Sequence, residues 1–282
     1  NKINIKTKLI ICQNSFGIKG LSLNELKQIN DLKIPVLLDN CLSFGTVYQK
    51  KYIDLFDAEV YSFEVSKVIC IGWGGMIQIK NPNNFMSYYD SLDSVSVLED
   101  LRRIFQTILN LLFVGKGNLI TKFLWYFFMI SGIFKKSTSL SKNFNKSKKL
   151  GKLSKKILSN VIQSRDEIFL KTKYNFDDLF LFTKKLGYKS FYESCDVKNI
   201  LSCRLPLRIT ETDRDNFKNY ALKKYNLEIG SWFDDFPEID ISKNKFINTK
   251  NINSCIVNIP CYWSLKKDDF LIIKSFLKSY KN

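Results

Sequence analysis

Four short apolar runs, Lys8–Cys12, Pro35–Asp39, Ala58–Phe63 and Met76–Ile79, lie near the start of the chain, and the stretch between the first two, Ser22–Leu32, has helical spacing. Ser22 with Glu25 three residues later fits a capping box, in which each side chain takes up a backbone N–H that a helix start leaves unpaired. Strand, helix, strand, with strands that are apolar throughout, predicts a parallel sheet covered on both faces. Ligands of such sheets gather beyond the C-terminal ends of the strands, so the polar residues that close these runs are the first candidates for chemistry.

From about Val95 the pattern turns helical. Leu119–Phe134 is the most apolar stretch, interrupted by Lys122, and at 16 residues it is short for a membrane span. Lys135–Lys156 follows with nine lysines among Ser and Asn and is expected to be a solvated linker or loop. Beyond it, Ile157–Lys173 and Phe176–Leu186 look helical, then strands are expected around Arg204–Ile209 and Cys255–Ile259 and helices around Asp213–Lys224 and Lys267–Ser279. These form a second, smaller α/β unit. No internal repeat is visible.

The 282 residues contain no histidine, which excludes every mechanism that needs an imidazole, including Ser-His-Asp and Cys-His nucleophiles and histidine-ligated zinc. No metal site is expected. The net charge of +17 comes from 38 Lys and only 6 Arg, so the arginine forks of nucleic-acid readers are missing and no nucleic-acid partner is expected. Residues 101–165 carry 14 basic side chains and no acid, so one segment holds most of the field. The seven cysteines are odd in number, lack CxxC spacing and sit mostly in apolar runs, as reduced core residues of a cytoplasmic protein do. The chain opens at Asn1, already close to a β pattern, and reads as the C-terminal part of something longer.

Asp39 closes an apolar strand, Ser62 closes another, and Lys67 stands between that strand and Gly72-Trp73-Gly74-Gly75-Met76. Pyridoxal phosphate chemistry needs a lysine to form the Schiff base, a carboxylate to keep the pyridine nitrogen protonated, and donors for the phosphate. Lys67, Asp39 and Ser62 supply one of each. As ordinary residues they would be a surface lysine, a loop-capping aspartate and a sheet serine.

The stretch 34–76, IPVLLDNCLSFGTVYQKKYIDLFDAEVYSFEVSKVICIGWGGM, resembles the core of the DegT/DnrJ/StrS-type sugar-nucleotide aminotransferases. In that family a strand ending in Asp is followed by a Gly-containing turn (Gly45), a strand after Asp-Ala (Asp57-Ala58), Ser-Phe, the cofactor lysine and a Gly-Gly-Met strand, and all five are in register here. Ile10–Gly17 looks like the family's preceding strand and substrate-side loop. Arg204–Arg214, Gly230-Ser231-Trp232 and Val257–Pro260 resemble its small-domain landmarks.

The resemblance implies a PLP-dependent transferase of fold type I. Residues 1–100 would be the C-terminal half of its large domain, 101–156 an apolar then lysine-rich insertion, and 157–282 the small domain. It also implies a homodimer that moves an amino group from L-glutamate to a keto sugar nucleotide, for cell-surface polysaccharide or related amino-sugar synthesis. Lys67 would be the catalytic and cofactor-bearing lysine, Asp39 the partner of the pyridine N–H, Ser62 a phosphate donor, and Asn14 and Phe16 substrate-side residues.

Some positions depart from the family. Leu42 stands where His or Gln is usual and is expected in the core, Trp73 replaces a frequent Glu, and Cys261-Tyr262 stand for Thr-His. Gln163 matches a helix glutamine, whereas a phosphate-touching Asn has no counterpart near Leu150–Lys152. About the first third of such an enzyme has no counterpart before Asn1, so weak cofactor binding is expected. Two other readings stay open: a non-catalytic remnant or assembly subunit, and a related enzyme acting on a non-sugar keto substrate. For residues 119–156 the choice is between a helix pair packed on protein and a peripheral contact with anionic lipid at the inner face of the membrane.

Overall fold

The computed structural model describes residues 3–113, 123, 126–128, 130–131, 147–193, 195–231 and 247–281. It is mixed α/β and divides into two compact units, one of residues 1–15, 19–44 and 48–166 and one of residues 16–18, 45–47 and 167–282.

The first unit is built on β1 (Ile10–Gln13), α1 (Leu23–Asp31), β2 (Val36–Asp39), α2 (Lys50–Ile53), β3 (Ala58–Ser62) and β4 (Gly75–Ile79), followed by α3 (Asn83–Ser91), α4 (Val97–Phe113) and α5 (Lys152–Gln163). The sheet runs β1-β2-β3-β4. β1, β2 and β3 are parallel, and β4 returns antiparallel to β3. The sheet is thus mostly parallel, and the cause of that last direction is the connection. The segment 63–74 has no helix with which to cross over, so the chain can only fold back beside the strand it has left. The capping box of α1 forms as predicted, with the Glu25 N–H donating to Ser22 Oγ at 3.3 Å and the Ser22 N–H donating to Glu25 Oε2 at 2.8 Å.

Alternation along the strands decides which face is covered. Cys12, Val36 and Leu38 point to one face and are buried with Leu26 and Ile29 of α1 and with Tyr52 and Phe56. The register puts Ile11, Leu37, Ala58 and Ile79 in one row of the opposite face and Gln13, Asp39, Val60 and Ile77 in the next. Ile11 is 62% exposed and Ile77 55%. On this face Leu37, Asp39, Ala58 and Val60 are half-buried, so among the described residues it is less covered than the other, where continuous apolar strands predict two covered faces.

The second unit has α6 (Arg165–Lys185), β5 (Lys189–Ser190), β6 (Arg204–Arg208), α7 (Glu211–Tyr225), α8 (Ile247–Cys255), β7 (Ile256–Pro260) and α9 (Lys267–Lys281). Its sheet is antiparallel in the order β5-β6-β7. Leu205, Leu207, Val257 and Ile259 form its buried face and pack with Phe176 and Leu179 of α6, Phe217 and Ala221 of α7, and Ile273, Phe276 and Leu277 of α9. The expected helix break near residues 174–175 is absent, and the break falls at Ser164 instead. Asn175 is tolerated inside α6 because its amide donates to the Tyr262 carbonyl at 2.7 Å and does not compete for its own backbone. The polar segments that form α3 and α8 were not expected to be helical.

No helix among the described residues is long and apolar enough to cross a membrane. Most of Leu119–Phe134 and of Lys135–Lys156 lies outside the described residues. The lysine-rich run does not stay a loop to its end, because α5 begins at Lys152. The seven cysteines are free thiols.

Candidate functional site

β2 delivers Asp39 and β3 delivers Ser62 to the C-terminal end of the first unit's sheet. By register and alternation both stand on the uncovered face, Asp39 across from Val60 and Ser62 two residues further on. Asp39 is half-buried, and one carboxylate oxygen accepts the Cys41 N–H at 3.0 Å, which leaves acceptor capacity for a further donor. Ser62 Oγ accepts the Glu64 N–H at 3.4 Å, and its own hydrogen is free to be donated.

Lys67 lies in the loop between β3 and β4. The Phe63 N–H donates to the Gly74 carbonyl at 2.9 Å, Ile71 to Phe63 at 3.0 Å and Lys67 to Glu64 at 3.3 Å, so the loop is closed on itself by its own backbone. Ser66 takes a left-handed φ of 70° to turn the chain. Lys67 is half-buried, and among the described residues its ammonium is in no ion pair. Cys41 shows how the parts converge. Burial, then the hydrogen bond and charge of Asp39, push its thiol up to about 12, while Lys67 pulls the other way. Asp39 and Lys67 therefore act on the same atom from two elements, and that atom stays a protonated thiol at neutral pH.

The two substrate-side candidates are buried. Asn14 is 0% exposed; its oxygen accepts from the Gly20 N–H at 2.9 Å and the Tyr52 hydroxyl at 3.3 Å, and its amide donates to Asn40 at 3.3 Å. Its carbonyl accepts from the Ser43 hydroxyl. Phe16 belongs to the core of the second unit, where its carbonyl accepts the Tyr192 hydroxyl at 2.8 Å. Both side chains are placed to shape the loop that carries them. Leu42 is half-buried where a core position was expected, and Gln163 is exposed at the end of α5.

Sequence reasoning missed the polar ladder beneath these residues. Asn40, 2% exposed and next to Asp39, accepts from Asn14 and donates to Glu59 Oε2 at 3.0 Å, and Tyr61 donates to the same oxygen at 2.7 Å. Burial and then Glu59 raise the Tyr61 phenol well above its ordinary value, so it stays a donor. The ladder ties the ends of β1, β2 and β3 together. Its signal was available as polar residues interrupting apolar strands.

These residues fit pyridoxal phosphate: a carboxylate with an open acceptor and a hydroxyl with a free hydrogen stand at one end of a sheet, and an amine is in the loop that follows. The chain has the fold of part of a PLP-dependent aminotransferase. It is similar to NtdA from Bacillus subtilis, solved with bound cofactor PMP (TM-score 0.60, 14% identity, 99% of this chain and 57% of that one). It is also similar to Helicobacter pylori PseC, an aminotransferase in pseudoaminic acid biosynthesis (0.63, 13%, 99% and 68%). A third similar structure is DesI in the presence of its TDP-sugar product (0.65, 14%, 99% and 64%). Residues 1–106 match the model of the DegT/DnrJ/EryC1/StrS aminotransferase family. No curated protein matches it. The chain spans 57 to 68% of the length of these three solved relatives.

Proposed function

We propose that this chain carries the lysine-bearing half of a pyridoxal phosphate site and serves an aminotransferase that moves an amino group from L-glutamate to a keto sugar nucleotide. The observation that carries this is that Asp39 and Ser62 stand on one face at the C-terminal end of a single sheet, with Lys67 in the loop that leaves Ser62. Residues 1–100 would be the second half of a fold type I large domain, with the small domain following the insertion, and the working unit would be a homodimer.

Bound pyridoxal phosphate would supply an electron sink for the pair released when a substrate Cα–H bond breaks. Lys67 would hold the group covalently, and after amine exchange its free amine would move the proton at the substrate Cα. Asp39 would hold the proton on the pyridine nitrogen, and the open oxygen described above is the acceptor for it. Ser62 would donate its hydroxyl hydrogen to the phosphate. Asn14 and Phe16 would set the backbone of the substrate-side loop, since both side chains are engaged inside the protein.

The test is the absorbance of the protein with pyridoxal phosphate, with Lys67→Ala as control. A band above ~400 nm that depends on Lys67, and that moves to the pyridoxamine form on adding L-glutamate, is the expected result. One observation favours a second reading, a non-catalytic subunit of the same fold: Ile11 and Ile77, on the face carrying Asp39 and Ser62, are exposed. A folded protein with no Lys67-dependent band would establish that reading in place of the first. Keto acceptors tested in the second half-reaction separate sugar nucleotides from a non-sugar keto substrate.

A further inference from the structure

α5 starts at Gly151 with no side-chain cap of its own. Its first donors go to Asp100 on α4: the Leu153 and Ser154 N–H groups reach Oδ2 at 3.0 and 3.2 Å, and the Ser154 hydroxyl donates to Oδ1. Gly151 leaves the room for this, because a Cβ there would stand 2.1 Å from Asp100 Oδ2. Asp100 is 1% exposed, so it is a buried carboxylate that caps a neighbouring helix. The Ser154 hydroxyl has a single hydrogen, and that hydrogen is on Asp100. Its lone pair is thereby turned to the Trp73 indole, whose Nε1–H donates to it at 3.1 Å. A carboxylate accepts only and an indole donates only, so the chain Trp73 to Ser154 to Asp100 runs in one direction.

Trp73 sits between Gly72 and Gly74, whose φ values of +90° and +83° are those of glycine. Its ring lies 4.3 Å from the Arg103 guanidinium, which Glu99 holds at 2.8 Å. The residue so fixed on α4 and α5 closes the loop that displays Lys67, since the neighbouring Gly74 carbonyl accepts the Phe63 N–H. We propose that Asp100 and Ser154 are positioning residues: through Trp73 they fix the 63–74 loop and with it the direction in which Lys67 is presented to a cofactor. This rests on the reading of Lys67 given above.

The experiment compares the full chain with Trp73→Phe, which keeps a ring over Arg103 but has no N–H, and with Ser154→Ala. Two quantities are read: hydrogen exchange of the Phe63 and Ile71 amides without cofactor, and the rate at which borohydride traps pyridoxal phosphate on Lys67, located by peptide mass. The expected result is about tenfold faster exchange at both amides, the effect of one lost buried hydrogen bond, with unchanged exchange in β2 and slower trapping. Should one variant fail to fold, the other carries the comparison. Unchanged exchange at Phe63 and Ile71 overturns the proposal. Faster exchange with unchanged trapping also overturns it and leaves Trp73 a packing residue. Faster exchange with no adduct on Lys67 in the unaltered chain upholds the tie and instead removes the pyridoxal phosphate reading.

Discussion

Replacing Asn40 by alanine cuts the polar ladder at its middle rung. Two hydrogen bonds are lost, the one received from Asn14 at 3.3 Å and the one given to Glu59 at 3.0 Å. The bond to the carboxylate is charge-assisted and contributes about 1.5 kcal/mol at the low end of its range, which suits a half-buried Glu59 that keeps Tyr61. The Asn14 amide, fully buried, is left without its acceptor at a cost of about 1.5 kcal/mol more. Together Asn40→Ala should destabilise the first unit by about 3 kcal/mol. With a urea slope of about 2 kcal/mol/M this lowers the unfolding midpoint by roughly 1.5 M. The assay is urea unfolding followed by hydrogen exchange at Leu38 and Val60, which reports this unit separately from the other. A companion Asn14→Ala and the double variant should show a coupling of about 1 kcal/mol. A loss below about 1 kcal/mol for Asn40→Ala, with additive double-variant behaviour, would refute the claim that the ladder ties the strand ends.

Gly72→Ala would place a methyl 1.9 Å from Thr107 Oγ1 while keeping a φ of +90°, so it should lower stability by about 3 kcal/mol and cut pyridoxal phosphate trapping at Lys67, both read against unaltered protein. Glu99 has its carboxyl held below its ordinary value of 4.5, first by the Arg103 hydrogen bond and then by nearby positive charge. A depressed carboxyl stabilises the fold above its unfolded value and loses that contribution as pH falls through its folded value. The stability gap between the unaltered chain and Glu99→Gln should therefore be constant above about pH 5 and shrink steadily below 4.5, as urea midpoints across that range will show. A gap that widened on acidification would have the wrong sign.

Much of the fold was legible in the sequence because it rests on local rules. Ser22 and Glu25 announced α1, and the apolar runs marked all four strands of the first sheet. The order of Asp39, Ser62 and Lys67 in the sequence marks the candidate site. What stayed hidden depends on partners distant in sequence. The direction of β4 follows from the length and shape of the 63–74 loop, which apolar periodicity does not encode. Asn14 looked like a pocket residue because a polar side chain near a strand end is ambiguous until its partners, the donors Gly20 and Tyr52 and the acceptor Asn40, are known. Trp73 read as a departure from the pattern the sequence resembles, and its partner Ser154 is 81 residues away.

The partly exposed face of the first sheet has an electrical consequence. Asp39 stands in a row with Val60 and Ile77, beside the row of Ile11 and Leu37. Two unit charges 4 Å apart attract by about 1 kcal/mol in water and about 4 kcal/mol at the effective dielectric of a protein surface. Whatever settles on those aliphatic rows displaces water from around the carboxylate and strengthens its attraction for a neighbouring cation. The aliphatic surface is thus the insulation of the site: the strength of Asp39's grip is set by what lies over Ile11 and Ile77 as much as by the aspartate itself.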